Sequence, residues 1–230
     1  MTLAPKILHF LHNLKLEVKL PPNIAVLDPF KGENAEVIDR TIQEFYVKFY
    51  NDRAPRRMII GINPGRLGAG LTGIPFTDTK RLASDCDIQI NEFSSHEPSS
   101  VFVYEVIRAF GGSEAFYKNF YITSACPLGF VEMKPNGKEV NHNYYDSKEL
   151  QTAVTPFILS TLKEQIEWGM ETDVAFCLGT GKNFKFLKVL NDEHQLFDKL
   201  IPLEHPRYVV QYRSKRMREY IDKYLEALAQ

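Results

Sequence analysis

Cysteine is scarce in this chain: Cys86, Cys126 and Cys177 are the only three in 230 residues. Their wide separation excludes a dense disulfide framework and the paired spacing of a zinc site, and three thiolates fall one short of a four-thiolate iron-sulfur cluster. Each is expected to be a small buried apolar residue. An excess of one charge is lacking too. The 28 Lys and Arg nearly cancel the 29 Asp and Glu, for a formal net charge of -1. Bulk charge therefore gives no general attraction to phosphate, and any nucleic-acid contact must come from a local basic patch. Long apolar runs are also missing. Met1 to Lys19 is interrupted by Lys6, His9, His12, Lys15 and Lys19, so neither an export signal nor a membrane span is expected there, and a cytoplasmic protein is. What remains, 44% hydrophobic and 25% charged residues, is the composition of a globular chain rather than a disordered or fibrous one. The length favours one domain, and no repeat or low-complexity linker divides it.

Periodicity predicts alternating helices and strands. A helix around Ile7 to Leu11 meets the Pro21-Pro22-Asn23 cluster, and Glu33 to Tyr50 repeats apolar residues at the spacing of one buried helical face. Met58 to Ile62 is a short apolar run suited to a buried parallel strand, with a glycine-rich loop directly after it. Further strands are expected at Phe120 to Ala125, Asp173 to Leu178 and Leu200 to Leu203. Helices are expected at Ser99 to Phe110, ended by Gly111-Gly112, at Ser147 to Trp168, after Lys182, and at Lys215 to Leu228. Residues 133 to 146 read as a turn or lid loop. This order favours a three-layer α/β/α sandwich around a mainly parallel sheet, with chemistry at the C-terminal strand ends.

Two loops bear on ligands. Gly65-Arg66-Leu67-Gly68-Ala69-Gly70 lets backbone approach a ligand closely, but its glycines lack dinucleotide-fingerprint spacing, and a plain tight turn is the competing reading. Gly179-Thr180-Gly181-Lys182 lacks the leading glycine of a phosphate loop and has Asn183 where Ser or Thr belongs, so it reads as a helix-opening turn.

Gly61-Ile62-Asn63-Pro64-Gly65, then Gly68, then Thr72-Gly73-Ile74-Pro75-Phe76 resembles the water-activating and base-stacking loop of the single-strand-selective monofunctional uracil-DNA glycosylases. Asn119 to Phe130 is similar to that family's next pocket segment, and Glu204-His205-Pro206-Arg207 to its histidine-proline loop. The matches fall in the family's order and span most of the chain. The resemblance implies a single glycosylase domain over residues 1 to 230, with an N-terminal helical extension and a C-terminal helix. It implies a monofunctional DNA glycosylase that hydrolyses the N-glycosidic bond of uracil or a related damaged base in DNA, with no cofactor, metal or obligate protein partner.

Role by role, Asn63 would position the attacking water, and His205 would stabilise charge developing on the departing base. Phe76 would stack on the extruded base. Gly61, Ile62, Pro64, Gly65, Gly68 and Ser124 would complete the base pocket. An Asn-Pro turn, a core phenylalanine and a locally satisfied histidine are the plainer readings of Asn63, Phe76 and His205. Arg66, Arg207, Tyr208, Arg213, Lys215 and Arg216 would contact DNA, although a run such as Arg213 to Arg218 also suits an ordinary charged helix face.

Three positions depart from the family pattern. Ser124 stands where an asparagine reads the base edge, and it lacks the amide's paired donor and acceptor. Arg66 replaces a proline, and Pro206-Arg207-Tyr208 replaces Pro-Ser-Pro. Two alternatives stay open: a nucleic-acid-binding protein that keeps the fold with little catalysis, and a nucleotide-processing enzyme that uses the glycine-rich loops.

Overall fold

The computed structural model describes residues 1 to 230. Helix α1 (Leu3–Asn13) leads to strand β1 (Ile24–Leu27) and helix α2 (Ala35–Tyr50), which feeds the central strand β2 (Arg57–Gly61). Helices α3 (Ala69–Thr72), α4 (Thr79–Asp85), α5 (Pro98–Phe110) and α6 (Ser113–Asn119) precede β3 (Phe120–Ser124). A hairpin of β4 (Gly129–Met133) and β5 (Glu139–His142) leads into α7 (Lys148–Glu167), then β6 (Val174–Leu178), α8 (Lys182–His194) and β7 (Lys199–Leu203). Helices α9 (Pro206–Tyr212) and α10 (Met217–Leu228) end the chain.

The main sheet has the order β3-β2-β6-β7, and every neighbouring pair is parallel. Both faces of β2, β3 and β6 are buried, which is why these strands read as apolar runs without alternation. Phe116 of α6 and Tyr224 of α10 pack on one face with Ile59 and Ile122. On the other face the Thr123 hydroxyl donates to the side-chain Oε1 of Gln165 in α7 at 2.7 Å, and Tyr121 meets Trp168. The expected α/β/α sandwich is therefore the fold. Connections leave β2 and β6 toward opposite edges, so the switch point lies between their C-terminal ends, where open α/β sheets bind ligands.

Two features correct the sequence reading. Residues 133 to 146 are no lid: β4 and β5 form a hairpin that pairs with β1 in a second, antiparallel sheet. Glu139-Val140-Asn141-His142 has one apolar residue and is held by backbone hydrogen bonds, so hydropathy does not reveal it. The segment after His205 is likewise helix α9 rather than a loop. No helix is long and apolar enough to cross a membrane.

Candidate active site

A cleft of about 330 Å³ opens at the switch point, and Asn63, Phe76, Glu97, Asn143, His205 and Arg207 are among its walls. These residues are far apart in sequence and meet because β2 and β7 end on the same edge of the sheet, flanking β6.

Asn63 lies two residues beyond the end of β2, and its amide is held from the side of β5. Its Oδ1 accepts the Tyr144 backbone N–H at 3.1 Å, while Nδ2 makes longer contacts to the carbonyls of Pro64 (3.3 Å) and His142 (3.4 Å). One Oδ1 lone pair stays available to a water. The hairpin thus orients a residue that lies some eighty positions earlier in the chain.

His205 is the N-cap of α9, and its Nδ1 accepts the Arg207 backbone N–H at 3.2 Å. An acceptor nitrogen carries no proton, so the neutral ring holds its hydrogen on Nε2 as a donor. Desolvation, with the Arg207 charge as a smaller contribution, lowers the imidazole pKa to about 4. The ring is therefore a neutral donor at physiological pH, with one edge open to the cleft.

The Phe76 ring lies beside His205, with centroids 5.9 Å apart and planes tilted by 57°. A Cβ on Gly61 would meet the ring at 3.1 Å, a tight contact that glycine at the end of β2 relieves. Phe76 has φ 54, in the left-handed region that bulky residues avoid. Such strain persists where surrounding structure over-determines it and clusters at ligand-binding sites.

Glu97 escaped the sequence reading, since immediately before Pro98 it looks like an ordinary helix entrance. Its Oε2 is buried without a hydrogen-bond partner. Desolvation, then the charge of Asp78, raises the carboxyl pKa to about 8, with Arg207 opposing. Asp78 itself is fully buried and busy: it accepts from the backbone N–H groups of Arg81 and Glu97 and from the Ser100 hydroxyl.

Of the residues expected to bind the base, Ile62, Gly65, Gly68 and Phe76 line the cleft with Asn63 and His205. Gly61 lies beneath the Phe76 ring. Pro64 and Ser124 do not line it. They border a separate cavity of about 280 Å³ between the glycine-rich loop and α1. Among the expected DNA contacts only Arg207 reaches the cleft. Arg66 is half-exposed at its rim, 3.9 Å from Glu139. Tyr208 and Tyr212 project from α9 with rings 5.6 Å apart, and the Arg213 guanidinium stacks on Tyr208. Arg216 pairs with Glu219 and Arg218 with Asp222, which leaves Arg213 and Lys215 as the cations of the basic run outside an ion pair.

Against known proteins, the chain matches the Uracil DNA glycosylase superfamily over residues 47–229. The crystal structure of wild-type SMUG2 from Pedobacter heparinus is similar at 51% identity and a TM-score of 0.96, covering 100% of this chain and 97% of that one. A comparison with curated proteins finds no match. The architecture, the cleft at the switch point and these two likenesses agree: the chain belongs to the uracil DNA glycosylase superfamily, and it is a DNA glycosylase, a hydrolase of N-glycosidic bonds.

Proposed function

We propose that the cleft takes an extruded uracil or related deaminated base from DNA and that Asn63, His205 and Phe76 carry its removal. Phe76 stacks on the flipped ring. Asn63 holds a water against the sugar C1′. As the C1′–N bond breaks, its electron pair passes to the base, the water oxygen bonds to C1′, and the water's proton leaves to solvent or base. His205 Nε2–H donates to the base oxygen on which the negative charge develops. A neutral donor in a desolvated site strengthens as that charge grows, which favours the transition state over the ground state. The observation that carries this reading is the His205 Nδ1 bond to Arg207, which fixes the tautomer with a donor on Nε2.

The whole chain acts as one domain without an obligate protein partner, on DNA in the cytoplasm. Single-turnover base release from uracil-containing oligonucleotides tests the reading. Asn63→Ala and His205→Ala are each expected to slow release by about 10²- to 10³-fold. Unchanged rates in both would remove this cleft from consideration as the active site.

A further inference from the structure

The cleft contains one acidic side chain that the mechanism leaves unused. Glu97 sits where the chain enters α5, and its backbone N–H is tied to Asp78 at 3.1 Å. The backbone anchor sends the side chain toward the glycine-rich loop. A Cβ on Gly68 would stand 1.9 Å from Glu97 Oε2 and 3.0 Å from Oε1, so only glycine at position 68 leaves the carboxyl its place. There Oε2 is buried and bonded to nothing. Native proteins rarely leave such an atom unpaired unless a water, an ion or a ligand completes it or the group has a chemical role.

The cleft also lacks a base reader from β3, because Ser124 borders the other cavity. We infer that Glu97 supplies the missing reading of the base edge as a neutral carboxyl, its O–H donating to a base carbonyl and its C=O accepting from the adjacent ring N–H. This rests on the reading of the cleft as the base pocket. A protonated carboxyl offers the paired donor and acceptor that a serine hydroxyl does not. The ring N–H beside C=O that it matches is created when an amino base is deaminated, on a pyrimidine or a purine. Glu97 therefore reads a two-atom edge rather than ring size.

The charges around Glu97 support a neutral acid. Asp78, at the N-cap of α4, faces it with a buried negative charge that disfavours ionisation, and desolvation acts in the same direction. From α9, Arg207 opposes them, and the neutral His205 ring shares the cleft wall. Arg81 and His96 lie beyond Asp78, at 4.0 and 3.5 Å from its carboxylate. The balance holds the Glu97 proton up to about pH 8. Above that pH the donor is lost, and a carboxylate faces the base carbonyl.

The test compares Glu97→Gln and Glu97→Ala with the unmodified protein in single-turnover release of uracil and of hypoxanthine from oligonucleotides between pH 6 and 10. Glutamine keeps a donor and an acceptor but cannot ionise. The expected result is that E97A slows release of both bases at least about tenfold, while E97Q stays within about threefold of the unmodified protein and loses the alkaline fall. An E97A protein with the unmodified rate and pH profile would overturn the proposal. So would an E97Q protein as slow as E97A, since that pattern marks a base acting on water. Asn63→Ala serves as the control: if it is slow while E97A is normal, the cleft reading stands and this inference fails. Should E97A not fold, E97Q decides alone, because an unaltered alkaline limb in that variant also refutes the proposal.

Discussion

Protonation of His205 bears on stability as well as on the proposed catalysis. Its imidazole is held neutral down to about pH 4, whereas an unfolded chain protonates its histidines near pH 6.5. Between those values the unfolded state binds more protons, so stability falls as pH drops from about 6.5 toward 4. Replacing His205 with glutamine should flatten that part of the stability curve in chemical denaturation measured at several pH values. In the unmodified enzyme, the acid limb of kcat should fall near pH 4 with no inflection at 6.5; an inflection at 6.5 would show that the ring titrates freely. Phe76 invites a different experiment. Stacking between a base and an aromatic ring contributes about 1–3 kcal/mol, so Phe76→Ala should weaken binding of base-modified DNA about 10- to 100-fold. Phe76→Gly should lose as much affinity yet melt higher than Phe76→Ala, because glycine accepts φ 54 without strain.

At the level of elements, the second sheet determines where Asn63 points. Tyr144 follows β5, its N–H holds Asn63 Oδ1, and its hydroxyl donates to Asn183 Oδ1 at 2.7 Å. Asn183 of α8 in turn donates to the carbonyls of Gly61 (3.2 Å) and Leu178 (3.1 Å), which joins the ends of β2 and β6 to the hairpin. Asn183→Ala strips the buried Tyr144 hydroxyl and the Leu178 carbonyl of this partner, while the Gly61 carbonyl keeps the Ala125 N–H, and should cost about 2–4 kcal/mol in urea unfolding. It should also lower kcat more than it raises KM, since Asn63 loses its support while Phe76 does not; an equal effect on both would assign Asn183 to the fold alone. This network also marks how far the sequence was legible. The parallel strands could be read because burial on both faces makes them continuous apolar runs, and Asn63, Phe76 and His205 because they sit in short motifs at strand ends. Glu139–His142 left no apolar pattern to read, and Glu97 passed for a helix entrance. Ser124 was assigned to the pocket by its place in a motif, whereas the structure puts it on the separate cavity beside α1.

For the molecule as a whole, a net charge of -1 makes DNA binding depend on a few cations at one end of the sheet. Arg207 lies at the cleft, with Arg213 and Lys215 just beyond on the turn that joins α9 to α10. Arg216, at the entrance of α10, and Arg218, within it, are engaged with Glu219 and Asp222, and freeing them for phosphate would expose those carboxylates to the DNA. Each phosphate neutralised on a single strand contributes about -0.7 to the slope of log K against log salt. Three cations outside an ion pair thus predict a shallow slope of about -2 for single-stranded DNA, against about -3.5 if all five acted. Titrations of a fluorescent oligonucleotide at several salt concentrations separate the two values. Replacing Arg213 and Lys215 together with alanine should reduce the slope by about 1.4, leaving single-turnover release at saturating protein nearly unchanged. Arg216→Ala should barely alter the slope, and a loss of about 0.7 would mean that the Arg216–Glu219 pair opens on DNA.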